Sequence, residues 1–261
     1  MSLLLCASAQ AADSPFVEAH IRLISTTKTL VGVGIRQGNT AQGIVIPTDV
    51  FSDEIVYRGP ARFELIELGV GAKQPENKVL TAEQDTSPTK RTTRGFRPKP
   101  RSDDFTPSGK PPFAWIDLPA NQGRLNLILL IAPGHDHGII PLPDVPGSFP
   151  PGSNRYLNLC PFPVVAMAPS GRQSVPAGGT KAMRPGARNN DYYDLQFMSV
   201  SNEEEKLAFS SRVYHQESLR TLFVLTPGPG NDGRMHVRVI EDRPGAEKVH
   251  AFAPGGLKDA K

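Results

Sequence analysis

The sequence predicts an all-β protein made of two tandem, internally duplicated, antiparallel β-sandwich domains of immunoglobulin-like type. Three observations support this fold class. The 261 residues include 26 prolines and 24 glycines, so turns are frequent and long helices are disfavoured. Apolar residues alternate with polar ones in short runs bounded by turn residues, which is typical of half-buried strands. Finally, one stretch of the chain occurs twice, and the chain is long enough for two domains of about 100 residues each.

The strand signal is clearest in residues 219–240. An apolar run, residues 219–225, leads into a loop of Gly, Pro, Asn and Asp, and residues 235–240 then alternate between apolar and polar side chains. This pattern predicts a long β-hairpin.

The same hairpin pattern occurs earlier in the chain. Residues 113–134 align without a gap with residues 207–228, which lie 94 positions later. Identical residues occur at Ala114/Ala208, Gln122/Gln216, Leu125/Leu219, Pro133/Pro227 and Gly134/Gly228. A period this long favours duplicated domains over a solenoid, and chance similarity between two β-rich segments is the alternative.

Weaker matches extend the repeat upstream. Residues 63–65 match residues 193–195 at an offset of 130, so the first copy carries additional sequence. Looser matches place residues 31–35 on 164–168 and residues 21–23 on 157–159.

The N-terminus resembles the second half of a secretory signal peptide. Leu3, Leu4 and Leu5 would be the end of an apolar region, and residues 7–11 fit the small-x-small cleavage pattern. We therefore expect residues 1–12 to be a truncated signal peptide and the protein to be periplasmic or extracellular. An ordinary disordered N-terminus is the alternative. No apolar run reaches the roughly 20 residues that a transmembrane helix needs.

The first domain is predicted over residues 17–142. Its strands are expected at residues 17–24, 30–35, 43–46, 51–57, 61–68, 113–118, 125–132 and 139–142. Residues 69–112 form a polar, Pro-, Thr- and Lys-rich insertion that is expected to be disordered, because it has too few apolar residues to bury.

The insertion carries the excess positive charge of the chain. Residues 86–101 contain no acidic residue, whereas the whole chain has a formal charge of +3. A basic segment of this kind can contact polyanions without specificity, and a solvated loop without a partner is the alternative. The candidate polyanion-binding residues are Lys90, Arg91, Arg94, Arg97, Lys99 and Arg101.

A proline- and glycine-rich linker is predicted at residues 143–154, followed by the second domain at residues 155–242 and a flexible tail at residues 243–261. Seven strands are expected in the second domain: residues 156–159, 164–168, 173–175, 192–200, 206–215, 219–225 and 235–240.

His135 and His137 are the best candidates for a metal site. In an extended segment the side chains of residues i and i+2 point the same way, so both imidazoles could bind one metal ion. A third ligand would have to come from elsewhere, with Asp117, Asp144 and His215 as candidates. Exposed polar residues at a hairpin tip are the alternative interpretation.

Other residue types give weaker signals. Cys160 lies among apolar residues and is expected to be a small buried side chain. Trp115 could be a sugar platform, but its repeat partner Phe209 is also aromatic, which favours core packing. Tyr57, Tyr192 and Tyr193 are candidates for a carbohydrate-binding surface. Neither a Gly-x-Ser-x-Gly nor a His-Glu-x-x-His motif is present.

The second copy resembles a group of uncharacterised exported β-sandwich proteins of environmental, verrucomicrobial-type bacteria. The resemblance is carried by residues 154–185, by YYDLQFMSV at 192–200 and by LRTLFVLTPGPG at 219–230. It implies an exported β-protein and no particular activity.

We therefore expect a non-catalytic interaction or scaffold protein of the cell envelope, without a cofactor, whose partner is a protein or a glycan. The alternatives are a metal-dependent hydrolase that uses His135 and His137, and a carbohydrate-binding module.

Overall fold

The computed structural model describes residues 16–38, 40–68, 111–120, 122–201, 204–230 and 233–244. Within these residues the protein is all-β: strands occur throughout, and the only helical element is a three-residue turn. None of the described helical segments has the length and apolarity to cross a membrane. The chain divides into two compact units between Val145 and Pro146, within the predicted linker.

The described residues of the first unit contain eight strands. They are β1 (Phe16–Ser25), β2 (Leu30–Gln37), β3 (Thr40–Ile46), β4 (Ile55–Pro60), β5 (Arg62–Glu67), β6 (Ala114–Asp117), β7 (Leu125–Ile131) and β8 (Ile139–Pro143). They form two four-stranded sheets of order β4-β1-β7-β8 and β3-β2-β5-β6. All pairings are antiparallel except that of β1 with β7, which is parallel.

The core of the first unit lies between its two sheets. Ile21 and Leu129 come from one sheet, Ile35 and Phe63 come from the other, and all four are fully buried. Alternate residues of each strand point to this core because successive side chains of a strand face opposite sides.

In the part of the second unit that the structure describes there are also eight strands. They are β9 (Asn154–Asn158), β10 (Val164–Ala168), β11 (Gly171–Val175), β12 (Thr180–Met183), β13 (Asp191–Ser201), β14 (Glu204–His215), β15 (Arg220–Pro227) and β16 (Met235–Asp242). The two sheets have the orders β12-β9-β15-β16 and β11-β10-β13-β14, and β9 pairs with β15 in parallel. Tyr156, Phe197 and Phe223 form the aromatic centre of the core between them.

The two units have the same strand order. When β1 to β8 are replaced by β9 to β16 in turn, the two sheets of the first unit become those of the second, including the parallel pair. The internal repeat in the sequence therefore corresponds to two sandwiches of one topology.

The hairpins refine the alignment of the repeat. In the first unit the Ala132 amide donates to the Gly138 carbonyl, and in the second the Gly228 amide donates to the Arg234 carbonyl. These equivalent hydrogen bonds are 96 residues apart, two more than the sequence offset of 94. A shift of two residues keeps every side chain on the same face of its strand, so the apolar pattern of the two copies still matches.

The sequence predicts seven strands for the second unit, and this prediction missed β12. β12 has the sequence TKAM, and three of its four residues are exposed. It lies at the edge of a sheet, next to β9. An edge strand that buries almost nothing lacks the alternating apolar residues that identify a strand.

Part of the predicted linker is held firmly in the second unit. Phe149 is 2% exposed, and the guanidinium groups of Arg155 and Arg220 lie 4.5 and 4.8 Å from the centre of its ring. Arg220 Nη1 also donates to the Phe149 carbonyl at 3.0 Å. These contacts fix residues 148–150 against the strands that supply the two arginines.

Several sequence-based predictions lie outside the described residues. They are the signal remnant at residues 1–12, nearly all of the insertion at residues 69–112 and most of the tail at residues 243–261. The basic residues at positions 90, 91, 94, 97, 99 and 101 belong to this group.

Candidate functional site

The outer face of sheet β11-β10-β13-β14 carries a group of exposed aromatic and charged side chains. Alternation along β13 buries Tyr193 and Leu195 in the core and turns Tyr192 and Asp194 outward. Tyr192 is 56% exposed. The strand therefore displays a large ring and a carboxylate next to each other on its outer surface.

The neighbouring strand β14 completes this group. Tyr192 is directly opposite Tyr214, and Asp194 is opposite Arg212. The two tyrosine rings lie 5.1 Å apart, and the Arg212 guanidinium lies 5.5 Å from the centre of the Tyr192 ring. Arg212 Nε is 3.9 Å from Asp194 Oδ1, and both side chains are largely exposed. Antiparallel register thus brings two rings and an ion pair onto one patch.

A shallow cleft of about 520 Å³ opens at Tyr192, Asp194 and Arg212. Its lining combines polar, charged and aromatic groups. The lining residues are Pro169, Gly186, Ala187, Arg188, Asp191, Tyr192, Tyr193, Asp194 and Arg212.

One wall of the cleft depends on a close backbone approach. The Ser170 amide donates to the Pro185 carbonyl at 2.8 Å, and Ser170 Oγ donates to the Arg184 carbonyl at 2.7 Å. A Cβ atom at Gly186 would lie 2.9 Å from the Ser170 nitrogen, and Gly186 has a φ of +74°. Only glycine satisfies both requirements, so residue 186 holds this wall against the β10–β11 turn.

The other wall is set by the segment that leads into β13. Asn190 has a φ of +58°, and its amide donates to the His215 carbonyl at 2.8 Å. Asp191 Oδ1 accepts a hydrogen bond from the Tyr192 amide at 2.8 Å. Asn tolerates the left-handed conformation better than most residues, and this turn positions Asp191 at the rim of the cleft.

The charges at the cleft balance formally. Arg188 and Arg212 supply two positive charges, and Asp191 and Asp194 supply two negative charges. With the exposed ring of Tyr192, the cleft offers a flat apolar surface together with hydrogen-bond donors and acceptors. Such a lining suits a neutral ligand that has one apolar face and several hydroxyl groups.

Two of the three tyrosines proposed from the sequence do not expose their rings on this surface, although Tyr193 is among the residues that line the cleft. Tyr57 is 1% exposed, and its hydroxyl donates to the Pro60 carbonyl at 2.9 Å. Burial raises the pKa of Tyr57 to about 12. Tyr193 is 5% exposed, and its hydroxyl accepts a hydrogen bond from Asn154 Nδ2 at 2.6 Å. The sequence did not show that these rings fall on the core faces of their strands.

The two histidines proposed as metal ligands lie in the β7–β8 hairpin loop and are exposed. The His137 ring stacks on Trp115, with the ring centres 3.7 Å apart. His137 also has a φ of +58°, a conformation that costs about 1 kcal/mol for a non-glycine residue. Among the residues that the structure describes, no group of three His, Cys, Asp or Glu side chains could hold a metal ion.

The proposed third ligands have other partners. Asp117 Oδ1 lies 3.0 Å from Arg62 Nε, and Asp144 Oδ2 lies 2.7 Å from Arg22 Nη2. His215 is 8% exposed and packs edge-on against Tyr193 in the second unit. The described geometry therefore gives no support to a metal centre at His135 and His137.

The sequence favoured core packing for Trp115, and this prediction was wrong. Its neighbours Ala114 and Ile116 face the core of the first unit, so alternation places Trp115 on the outer face of β6. The Arg62 guanidinium lies 4.1 Å from the ring centre, and His137 packs on the ring. Trp115 is partly buried by these two side chains rather than by the core.

The outer faces of the two units share a local arrangement. In the first unit Arg62 is opposite Asp117 and lies over Trp115, two residues before that aspartate. In the second unit Arg212 is opposite Asp194 and lies over Tyr192, again two residues before the aspartate. Each unit therefore carries an aromatic-x-Asp pair on one strand and an arginine on the next.

Cys160 is buried, as predicted, at 1% exposure. Burial raises the pKa of its thiol to about 11, which makes it a poor nucleophile near neutral pH. Its amide donates to Asn158 Oδ1 at 3.0 Å, so it belongs to the structural core.

Sequence reasoning found Tyr192 but missed the charged residues around it. The missed residues are Arg188, Asp191, Asp194 and Arg212, together with the second ring of Tyr214. The alternation of residues 191–195 is the signal that could have shown that Tyr192 and Asp194 share a face. The register of β13 against β14 is a tertiary feature and was needed to place Tyr214 and Arg212 beside them. A scan against protein-family models and a search of curated proteins found no match to the chain.

Proposed function

We propose that this protein is a non-catalytic, exported binding protein of the cell envelope and that its second sandwich binds a carbohydrate chain. The observation that carries the proposal is the exposed residue Tyr192 in the lining of a cleft that also contains carboxylates and guanidinium groups. It favours the glycan among the partners that the sequence left open.

The chemistry of a sugar matches this lining. A pyranose has a face of C–H groups that packs on an aromatic ring, and its hydroxyls both donate and accept hydrogen bonds. Asp191 and Asp194 can accept from hydroxyl groups, whereas Arg188 and Arg212 can donate to them. Hydrogen bonds that involve charged groups are stronger than neutral ones, so a shallow site can still be specific.

Binding fits the site better than hydrolysis. A glycoside hydrolase needs one carboxyl group whose surroundings keep it protonated as a general acid. Asp194 is 78% exposed and lies beside Arg212, and Asp191 is exposed at the rim. Neither carboxylate has the apolar environment that a general acid requires.

The proposal has two further parts, which are export of the protein and nonspecific contact with polyanions. The small-x-small pattern at residues 7–11 supports export to the periplasm or the extracellular space. The six basic residues of the segment 86–101 support nonspecific contact with acidic polymers. Fractionation of source cells that express the protein from its own gene tests export, and a protein found only in their cytoplasm would contradict it.

The first test is a glycan array followed by calorimetric titration of the purified protein. We expect binding of a neutral oligosaccharide, and we expect Tyr192→Ala to weaken it at least tenfold, or by about 1.4 kcal/mol. Leu207→Ala is the matched control, because Leu207 is 58% exposed on β14 but does not line the cleft. Equal binding by wild type and Tyr192→Ala, or no glycan binding by wild type, would overturn the proposal.

A further inference from the structure

The first unit carries its own version of the aromatic platform, and one of its own side chains covers it. Trp115 lies on the outer face of β6 beside Asp117, with Arg62 on the adjacent strand. The His137 ring packs on Trp115 with a tilt of 32° between the two planes. In the second unit the corresponding ring, Tyr192, is more than half exposed.

The two platforms have the same components. Each has an aromatic residue, an aspartate two positions later on the same strand, and an arginine that faces the aspartate and lies over the ring. In the first unit the arginine is on β5 and the aspartate on β6. In the second unit the aspartate is on β13 and the arginine on β14. The same three residue types thus occur on equivalent pairs of strands in the two units. The strand that carries the aromatic residue and the aspartate is the second of the pair in the first unit and the first of the pair in the second unit.

The loop that carries His137 is shaped to bring the imidazole to Trp115. His137 has a φ of +58° and Gly138 a φ of +72°, so two successive residues take the left-handed conformation. A Cβ atom at Gly138 would lie 3.1 Å from Ala114 Cβ, which shows how closely the loop approaches β6. A non-glycine residue with positive φ needs compensating contacts, and the stack with Trp115 supplies them.

We propose that Trp115, Arg62 and Asp117 form a second platform for a neutral pyranose and that His137 is its built-in cover. The identity of the ligand class rests on the proposed function of the second unit. The planar imidazole occupies ring surface on which a sugar would pack. Removal of the imidazole should therefore convert a one-site protein into a two-site protein.

The experiment uses Trp115 as its own reporter, because the chain contains one tryptophan. The variant is His137→Gly, since glycine takes the left-handed conformation without strain. The matched control is His135→Gly, which removes the other exposed histidine of the loop and leaves the stack of His137 on Trp115 in place. Acrylamide quenching and circular dichroism of each variant establish that the ring is uncovered and that the fold is retained.

The probes are neutral glucose-, mannose- and galactose-based oligosaccharides. Wild type and His135→Gly should bind one equivalent by calorimetry without a change in tryptophan emission. His137→Gly should bind two equivalents and show a saturable shift in emission. The double variant Tyr192→Ala/His137→Gly should lose the first site and keep the emission change.

The outcomes separate this inference from the proposed function. A folded His137→Gly protein whose tryptophan is more accessible to acrylamide, but whose emission does not respond to any sugar, would refute the second platform and leave the cleft at Tyr192 untouched. An emission response in His137→Gly without any binding by wild type would support the second platform and refute the site in the second unit. An emission change in wild type at the same sugar concentrations would show that His137 is not a cover.

Discussion

At the scale of single residues, burial decides what each charged pair contributes. Arg220 Nε lies 2.6 Å from Asp242 Oδ2, and the side chains are 8% and 11% exposed. Arg212 and Asp194 form a similar pair on the surface, but their side chains are 73% and 78% exposed. Loss of one partner leaves a desolvated charge in the first pair and a hydrated charge in the second.

We expect Asp242→Ala to lower the free energy of unfolding by about 3 kcal/mol, because the buried Arg220 guanidinium loses its carboxylate. The control Asp194→Ala should lower it by less than about 1 kcal/mol. Urea denaturation of both variants measures the difference. Equal losses would show that the Arg220–Asp242 pair is hydrated in solution.

The folded protein buries the Cys160 thiol and the Tyr57 hydroxyl in their neutral forms, and we therefore expect it to lose stability at alkaline pH. Burial raises the pKa of Cys160 from its ordinary value of 9.0 to about 11, and that of Tyr57 from 10.0 to about 12. Below pH 9 both groups are protonated in the folded and unfolded states, so their full contribution to stability is present. Above that pH the unfolded chain loses its protons first, and stability falls as the pH rises towards the folded-state values.

Urea denaturation at pH 8, 9.5 and 11 tests this sign. The free energy of unfolding should decrease across the series, and Cys160→Ala should remove about 2 kcal/mol of the decrease between pH 8 and 11. Tyr57→Phe should act mainly between pH 10 and 12. A wild-type protein with constant stability from pH 8 to 11 would contradict the burial of the Cys160 thiol.

At the scale of elements, buried side chains hold the short connecting segments on either side of β9 in place. The segment before β9 is held by the ring of Phe149 between Arg155 and Arg220 and by the Gly152 amide, which donates to the Leu219 carbonyl at 2.6 Å. Asn158 has a similar role at the end of β9, where its Nδ2 donates to the carbonyls of Phe162, Val175 and Pro176. Buried side chains thus join segments that the sheets alone leave separate.

We expect Phe149→Ala to lower the free energy of unfolding by about 3–4 kcal/mol, because it removes a buried aromatic ring and the contact surface of two guanidinium groups. Val145→Ala is the control, since Val145 is 55% exposed in the same stretch of sequence. Thermal or urea denaturation measures both variants. A loss below 1 kcal/mol for Phe149→Ala would mean that residues 148–150 are not anchored in solution.

At the scale of the whole molecule, the two sandwiches share a topology but differ in what their outer faces expose. All the residues that line the cleft belong to the second unit. The second unit also has its own core cluster, centred on Tyr156, Phe197 and Phe223. We therefore expect it to fold and bind by itself.

A fragment of residues 146–244 tests this expectation. Its affinity for the oligosaccharide found on the array should lie within twofold of that of the full chain, and Tyr192→Ala in the fragment should again weaken binding at least tenfold. The fragment of residues 16–145 should not bind unless His137 is replaced by glycine. A folded second fragment that does not bind would mean that the first unit contributes to the site.

The sequence by itself determined the all-β class and the two sandwiches, because alternation and turn residues are local properties. It also indicated the repeat, but with a hairpin offset of 94 in place of 96, since apolar patterns with a period of two match equally well after a shift of two residues. The exposed polar strand β12 lacks the alternating apolar residues by which a strand is recognised in a sequence. The immunoglobulin-like relationship and the export of the protein stay predictions.

Only the tertiary structure decided which side chains meet. Tyr192 and Tyr193 are adjacent in sequence, yet Tyr192 is 56% exposed, whereas the Tyr193 hydroxyl accepts a hydrogen bond from Asn154 in the core. His137 was singled out as a candidate metal ligand, and nothing in the sequence indicated that its ring lies on Trp115. Alternation puts the two tyrosines on opposite faces of β13, but it does not say which face is the core. That face, and the loop that reaches Trp115, depend on packing between segments that are distant in sequence, which no local pattern encodes.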